Sequence, residues 1–349
     1  MAVATLQLDH LKANWRALDH ASGAAETGAA VKANAYGHGL PEAASALFEA
    51  GCRTFFVATL DEGRRLRQAL GRIPVIYILN GIVREKDWPV AHASDLRPVL
   101  NDDAVAQRFM DAGPADLLAA LQINTGMNRL GVSETAAEAL SNHTGRLGLI
   151  MSHLACADAP NHPLNAEQLR RFQWIAEAFP TTPKSLAATG GVLLGPAYHF
   201  DLTRPGIGLY GGGPAFEAGL VTPAIEVCAE VLRIDHIRAG DTVGYGATFT
   251  ASREMVLATI DVGYADGVLR AASNKGYAMF GGRKRPFVGR VSMDLTVIDV
   301  TEAPQPAPGD FVSVFGPGDS LQALAEAAGT IDYELLTGIG ERLHRVYAK

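Results

Sequence analysis

Lys32 closes a short apolar run in GAAVKANAYGHG, an unusual place for a charged side chain. Kept among Ala30, Val31 and Ala33, its charged form is disfavoured by desolvation, and a neutral amine can condense with an aldehyde to a Schiff base. A surface lysine at a strand end is the plainer alternative, and position alone does not decide between them. Tyr36, four residues on, offers a hydroxyl to a phosphate or simply packs. Arg129 ends QINTGMNRLG and Arg204 opens RPG. Arginine stays protonated and carries only donors, so either can clamp a carboxylate or face an acceptor without giving up a proton; a structural ion pair is the commoner fate of such a residue. His153 in IMSHLA suits stacking on a ring or a hydrogen bond in the core, and no second ligand at metal spacing accompanies it. In the last third, Tyr264 lies in DVGYADG, and Met293 and Asp294 lie in VGRVSMD. A tyrosine in a Gly-flanked turn is either an exposed aromatic or, where nearby charge lowers its pKa, a general acid or base.

These residues need a scaffold that brings them together. From about residue 28 to 212, short apolar runs alternate with stretches of helical period, the pattern of parallel strand-helix units. Eight such runs centre on Val31, Val57, Ile76, Pro98, Leu121, Ile150, Ala187 and Ile207. Between them lie PEAASALFEAG, DEGRRLRQAL, DDAVAQRFMDAG and NAEQLRRFQWIAEAF, several opened by an acidic residue, Asn or Pro. The expected fold is an α/β protein, a (β/α)8 TIM-type barrel over residues 1–218 followed by a mostly β domain over 219–349. In the second part IEVCAEVLRIDHI, MVLATIDVGY and DLTVIDV alternate with period two between Gly and Pro turns, and the Gly-rich GGGPAFEAG marks the junction. Barrels place catalytic groups at the C-terminal ends of their strands and bind phosphate after the seventh and eighth, where Thr189 in SLAATGG and Gly206 and Ile207 in RPGIGLYGG fall.

Composition narrows the function. With 48% hydrophobic and 19% charged residues the chain can bury ample core, and its net charge of −7 without basic blocks argues against a nucleic-acid surface. A small-molecule substrate is expected, with no membrane partner, since no stretch approaches spanning length. The opening MAVATLQLDHLKANW has no secretory pattern, and Cys52, Cys156 and Cys228 are odd in number and widely spaced, which suits reduced thiols in a cytoplasm.

Taken together, VKANAYGHG, NTGMNRLG, SHLA, RPGIGLYG, VGYGATF, VGYADG and GRVSMD, in this order over nearly the whole chain, resemble the alanine racemase family. The resemblance implies a barrel followed by a β domain, pyridoxal 5'-phosphate as cofactor, and a homodimer whose active sites each take residues from both chains. It implies that Lys32 holds the cofactor covalently and serves as one base, acting on the D-enantiomer, while Tyr264 from the partner chain serves the L-enantiomer. Arg204 is implied to face the pyridine nitrogen, Tyr36, Thr189, Gly206 and Ile207 the phosphate, His153 the ring, and Arg129 and the Met293 backbone the substrate carboxylate.

The chain departs from the family pattern in places. Gln122 stands where many members have a carbamylated lysine, so a neutral amide faces Arg129 and leaves room for an anion such as chloride. Ala188 replaces an asparagine, Thr189 a serine and Ser292 a cysteine; none is either proposed base. Rival readings are a racemase of the same fold for serine or larger amino acids, a fold-related decarboxylase, and a non-catalytic pyridoxal phosphate carrier. VGYADG and GRVSMD weigh against the decarboxylase, and a β domain carrying Tyr264 weighs against the carrier.

Overall fold

The computed structural model describes residues 2–316, 318 and 320–348, which divide into two compact units. The larger spans Leu11–Ala35 and Gly39–Val221, and the smaller gathers Met1–His10, Tyr36–His38 and Thr222–Lys349.

The larger unit is the parallel barrel. Its strands Ala29–Ala30, Thr54–Val57, Val75–Ile78, Arg97–Leu100, Ala119–Gln122, Leu147–Met151 and Lys184–Ser185 pair in sequence order. Leu202–Thr203 pairs with Glu26–Thr27, immediately before the first of them, and the Gly28 and Ala30 N–H groups donate to Thr203 and Pro205 at 2.9 Å, closing the ring. A Cβ on Gly28 would lie 2.9 Å from the Thr54 carbonyl, so this seam needs glycine. The eighth strand is earlier than the apolar run centred on Ile207, because Pro205 cannot donate to a ladder and Ile207 begins a short 3-10 turn. Ala30, Phe56, Tyr77, Val99, Ala120, Leu149, Met151 and Leu202 form one buried cluster, the filled interior of such a barrel. The four periodic stretches form the helices Leu40–Ala50, Leu60–Leu70, Asp103–Ala112 and Pro163–Ala176. Thr59 and Asp102 cap two of them by accepting from first-turn N–H groups.

In the smaller unit, Ile225–Ile237 is the spine. It pairs antiparallel with Val3–Gln7, Phe311–Phe315 and Met255–Ile260, and a register shift between Val231 and Arg233 lets it serve successive neighbours. Thr296–Asp299 extends the sheet beyond Met255–Ile260. Val3–Gln7 also pairs parallel with His344–Ala348, so residues 1–10 belong here rather than to a barrel beginning at residue 1. The strand's main-chain ladder, which alternation over five residues cannot reveal, decides its place.

Candidate active site

Lys32 follows the first barrel strand at its C-terminal end. The chain then turns left-handed through Ala33, Asn34, Ala35 and Tyr36, with φ between 51° and 54°. Each non-glycine residue held there costs about 1 kcal/mol, so neighbouring groups must hold the turn. Glu62 does much of this: its carboxylate accepts from the Ala33 N–H at 2.7 Å and from Ala58 and Thr59 at 2.8 and 3.2 Å. The Asn34 side chain accepts from Leu40 N–H at 2.9 Å on the other side. The Lys32 amine forms no hydrogen bond or ion pair among the described residues, and burial, then the nearby Arg129 charge, lowers its pKa against the opposing pull of Glu62. Desolvation thus favours the neutral amine that nucleophilic chemistry needs.

Arg204 lies at the end of the eighth strand with 4% of its surface exposed. One arm of its guanidinium donates to the Ser185 hydroxyl and the other to the Ser152 carbonyl at 2.6 Å, while the group sits 5.9 Å from the Phe56 ring centre. No carboxylate pairs with it among the described residues. Burial lowers its pKa to about 9, which still leaves it a cation near neutrality. Ser152, Thr125 and Gln168 brace this corner: the two hydroxyls meet at 2.8 Å, and the amide donates to Thr125 and to the His153 carbonyl at 3.2 and 2.9 Å. His153 is partly buried, and its pKa falls to about 3, from burial first and then from Arg204, Arg129 and Lys32. It is a neutral ring at ordinary pH.

Thr189 joins the loops after the seventh and eighth strands. Its hydroxyl accepts from Gly206 and Gly208 N–H at 3.0 and 3.3 Å, so the Gly206 N–H is already engaged. The Ile207 N–H meets no acceptor among the described residues, and the Thr189 hydroxyl retains a proton to donate. Arg129 is exposed on a loop organised by Asn124, whose side chain accepts from Gly126 and Asn128 N–H, both at 3.1 Å. Gln122 donates to the Leu130 carbonyl at 3.4 Å, beside Arg129 in the chain.

The barrel unit therefore gathers Lys32, His153, Thr189, Arg204, Gly206, Ile207 and Arg129 on the loops at its strand ends. An attacking amine, a buried donor without counter-charge and free N–H and O–H donors between Gly-rich loops suit an aldehyde that carries a phosphate and a ring acceptor. Tyr36 falls with the smaller unit, where its ring lies 6.3 Å from that of Tyr333 and burial raises its pKa to about 12.

The smaller unit brings Tyr264 and Met293 together. Tyr264 and Ala265 N–H donate to the Ser292 and Met293 carbonyls, both at 3.0 Å, and both side chains are exposed, at 42% and 54%. Glu62, Ser152, Ser185, Thr125 and Gln168 complete the site, Glu62 and Gln168 from outside the motifs that mark the other residues. Only for Glu62 was there a signal, the capping spacing of Thr59 and Glu62. No group of three or more metal-binding side chains occurs among the described residues, nor any helix long and apolar enough to cross a membrane.

Comparison with known proteins agrees with both units. Residues 6–214 match the alanine racemase N-terminal domain family and residues 224–347 the C-terminal domain family. An alanine racemase of Cereibacter sphaeroides is 44% identical over 99% of this chain and 98% of its own. One of Jannaschia sp. is 45% identical over 99% of each chain. The crystal structure of alanine racemase from Bartonella henselae with covalently bound pyridoxal phosphate superposes with a TM-score of 0.93 at 36% identity, covering 99% of both chains.

Proposed function

The chain belongs to the alanine racemase family, and on that premise we propose that it is a pyridoxal-phosphate-dependent isomerase interconverting L-alanine and D-alanine, with Lys32 and Tyr264 moving the protons. The observation that carries the reading is the Arg204 guanidinium, buried on neutral partners without a carboxylate. Such a donor fits a neutral ring nitrogen.

The residues present fit the cofactor. Lys32 supplies the amine for covalent attachment, the Thr189 hydroxyl, the Ile207 N–H and the chain at Gly206 would take the phosphate, and neutral His153 would lie beside the ring. When bound, pyridoxal phosphate withdraws electrons from the substrate Cα and so acidifies its hydrogen. Arg204, which keeps its proton near neutrality, would donate to the ring nitrogen and disfavour its protonation, which would restrain transamination. Racemisation needs a proton taken from one face of Cα and returned to the other. The Lys32 amine does this on the D face and the Tyr264 hydroxyl on the L face. Arg129 and the Met293 N–H orient the substrate carboxylate.

We further assign the active form as a homodimer in which Tyr264 and Met293 serve the partner's barrel. Their exposure supports this. The protein works in the cytoplasm, consistent with three unpaired cysteines, and supplies D-alanine for peptidoglycan or serves alanine breakdown.

Chiral analysis of the purified protein incubated with pyridoxal phosphate and, separately, L-alanine, L-serine and L-lysine tests the reading. D-alanine should form far faster than the other D-enantiomers. A faster reaction with serine or lysine would reassign the substrate, and no reaction despite a bound chromophore would favour a carrier.

A further inference from the structure

Nothing holds the Tyr264 side chain directly: its hydroxyl meets no hydrogen-bond partner among the described residues, and its ring is 42% exposed. Its position is therefore that of its backbone loop. Within that loop the buried Asp266 carboxylate accepts from the Gly263 N–H at 2.8 Å. Its other partner is Arg342, which binds it with both arms, Nε to Oδ1 at 2.6 Å and Nη2 to Oδ2 at 2.9 Å. The same guanidinium reaches the second loop, donating to Asp294 Oδ1 at 2.7 Å and to the Met293 carbonyl at 3.4 Å. One cation, close to the end of the chain, thus ties the turn bearing Tyr264 to the turn bearing Met293.

We propose that Arg342 is a positioning residue that sets the Tyr264 hydroxyl and the Met293 N–H relative to each other, and thereby governs proton transfer on the L face of the substrate. The inference rests on the reading of Tyr264 as the L-face group. A planar fork with several fixed donors can bind Asp266 with two arms and still reach Asp294; a lysine ammonium can only bridge them as a point charge. Were the contact a mere surface ion pair, its loss would change little, since half-exposed pairs contribute slightly to stability. A positioning role predicts an effect concentrated on the L face, because Arg129 still holds the carboxylate of either enantiomer when the Met293 N–H shifts. Lys32 lies on the barrel unit, so D-face chemistry should continue when the Tyr264 loop loosens.

The test uses the holoenzyme in deuterated water and measures loss of the Cα hydrogen separately from L-alanine and from D-alanine. Wild type is compared with Arg342→Met, Arg342→Lys, Asp294→Asn and Tyr264→Phe. Arg342→Met should slow exchange from L-alanine by about tenfold or more, in line with the cost of misplacing a reacting group, while exchange from D-alanine changes by less than about twofold. Arg342→Lys should recover part of the loss and Asp294→Asn should fall between wild type and Arg342→Met. Amide hydrogen exchange over residues 263–267 should quicken in the same order. Equal slowing from both enantiomers, or none, overturns the proposal. If Arg342→Met does not fold, an unchanged L-to-D exchange ratio in both milder variants overturns it as well. Normal L-alanine exchange in Tyr264→Phe would instead remove the base assignment, leaving the loop-setting role to be judged by amide exchange alone.

Discussion

On the barrel unit, burial rather than residue type alone decides which side chains carry charge. Lys32, Arg204 and His153 stand at the ends of barrel strands, and burial, with nearby charge for Lys32 and His153, sets their protonation. His153 carries a testable consequence. Its folded pKa of about 3 lies below the ordinary value of 6.5. The unfolded chain therefore binds a proton more readily, so the stability this neutral ring contributes is complete above the unfolded value and is lost as pH falls toward the folded one. Urea unfolding should show wild type losing up to about 2 kcal/mol more than His153→Gln between roughly pH 7 and pH 5. Equal losses in the two proteins would mean that the imidazole is protonated in the folded state.

At the scale of elements, strand-helix repetition is legible because burial on both faces of parallel strands and on one face of each helix leaves separate periods in the sequence. Boundaries are less legible where main-chain geometry rather than side-chain pattern decides them. The left-handed turn at Ala33–Tyr36 has as its clue only the nearby Asn34, Gly37 and Gly39, and the N-terminal strand joins a sheet whose other members lie more than two hundred residues away. The meeting of VGYADG with GRVSMD is of this kind. A Cβ on Gly263 would lie 2.4 Å from both the Ser292 and Met293 carbonyls, so glycine lets the two turns touch. Gly263→Ala should push them apart, lower stability by about 2 kcal/mol as overpacked sites do, and weaken racemisation without removing the bound chromophore. Calorimetry beside absorbance checks this; an unchanged melting temperature and rate would show that the turns separate freely.

For the whole molecule, the distribution of function over two units gives the proposed dimer a definite arithmetic. Lys32 and its supporting residues belong to the barrel unit, whereas Tyr264, Met293 and Arg342 belong to the other. If each active site takes its barrel residues from one chain and Tyr264 from the partner, a Lys32→Ala chain and a Tyr264→Phe chain are each inactive as homodimers. A hybrid of the two then carries one site with both defects and one site with neither. Random exchange of equal amounts makes half the dimers hybrid, so about one quarter of all sites, and of wild-type activity, should return. A site built within a single chain predicts no recovery, because every chain in the mixture still carries a defect. Mass spectrometry of differently tagged chains establishes that exchange has occurred, and the recovered rate then distinguishes a shared site from a self-contained one.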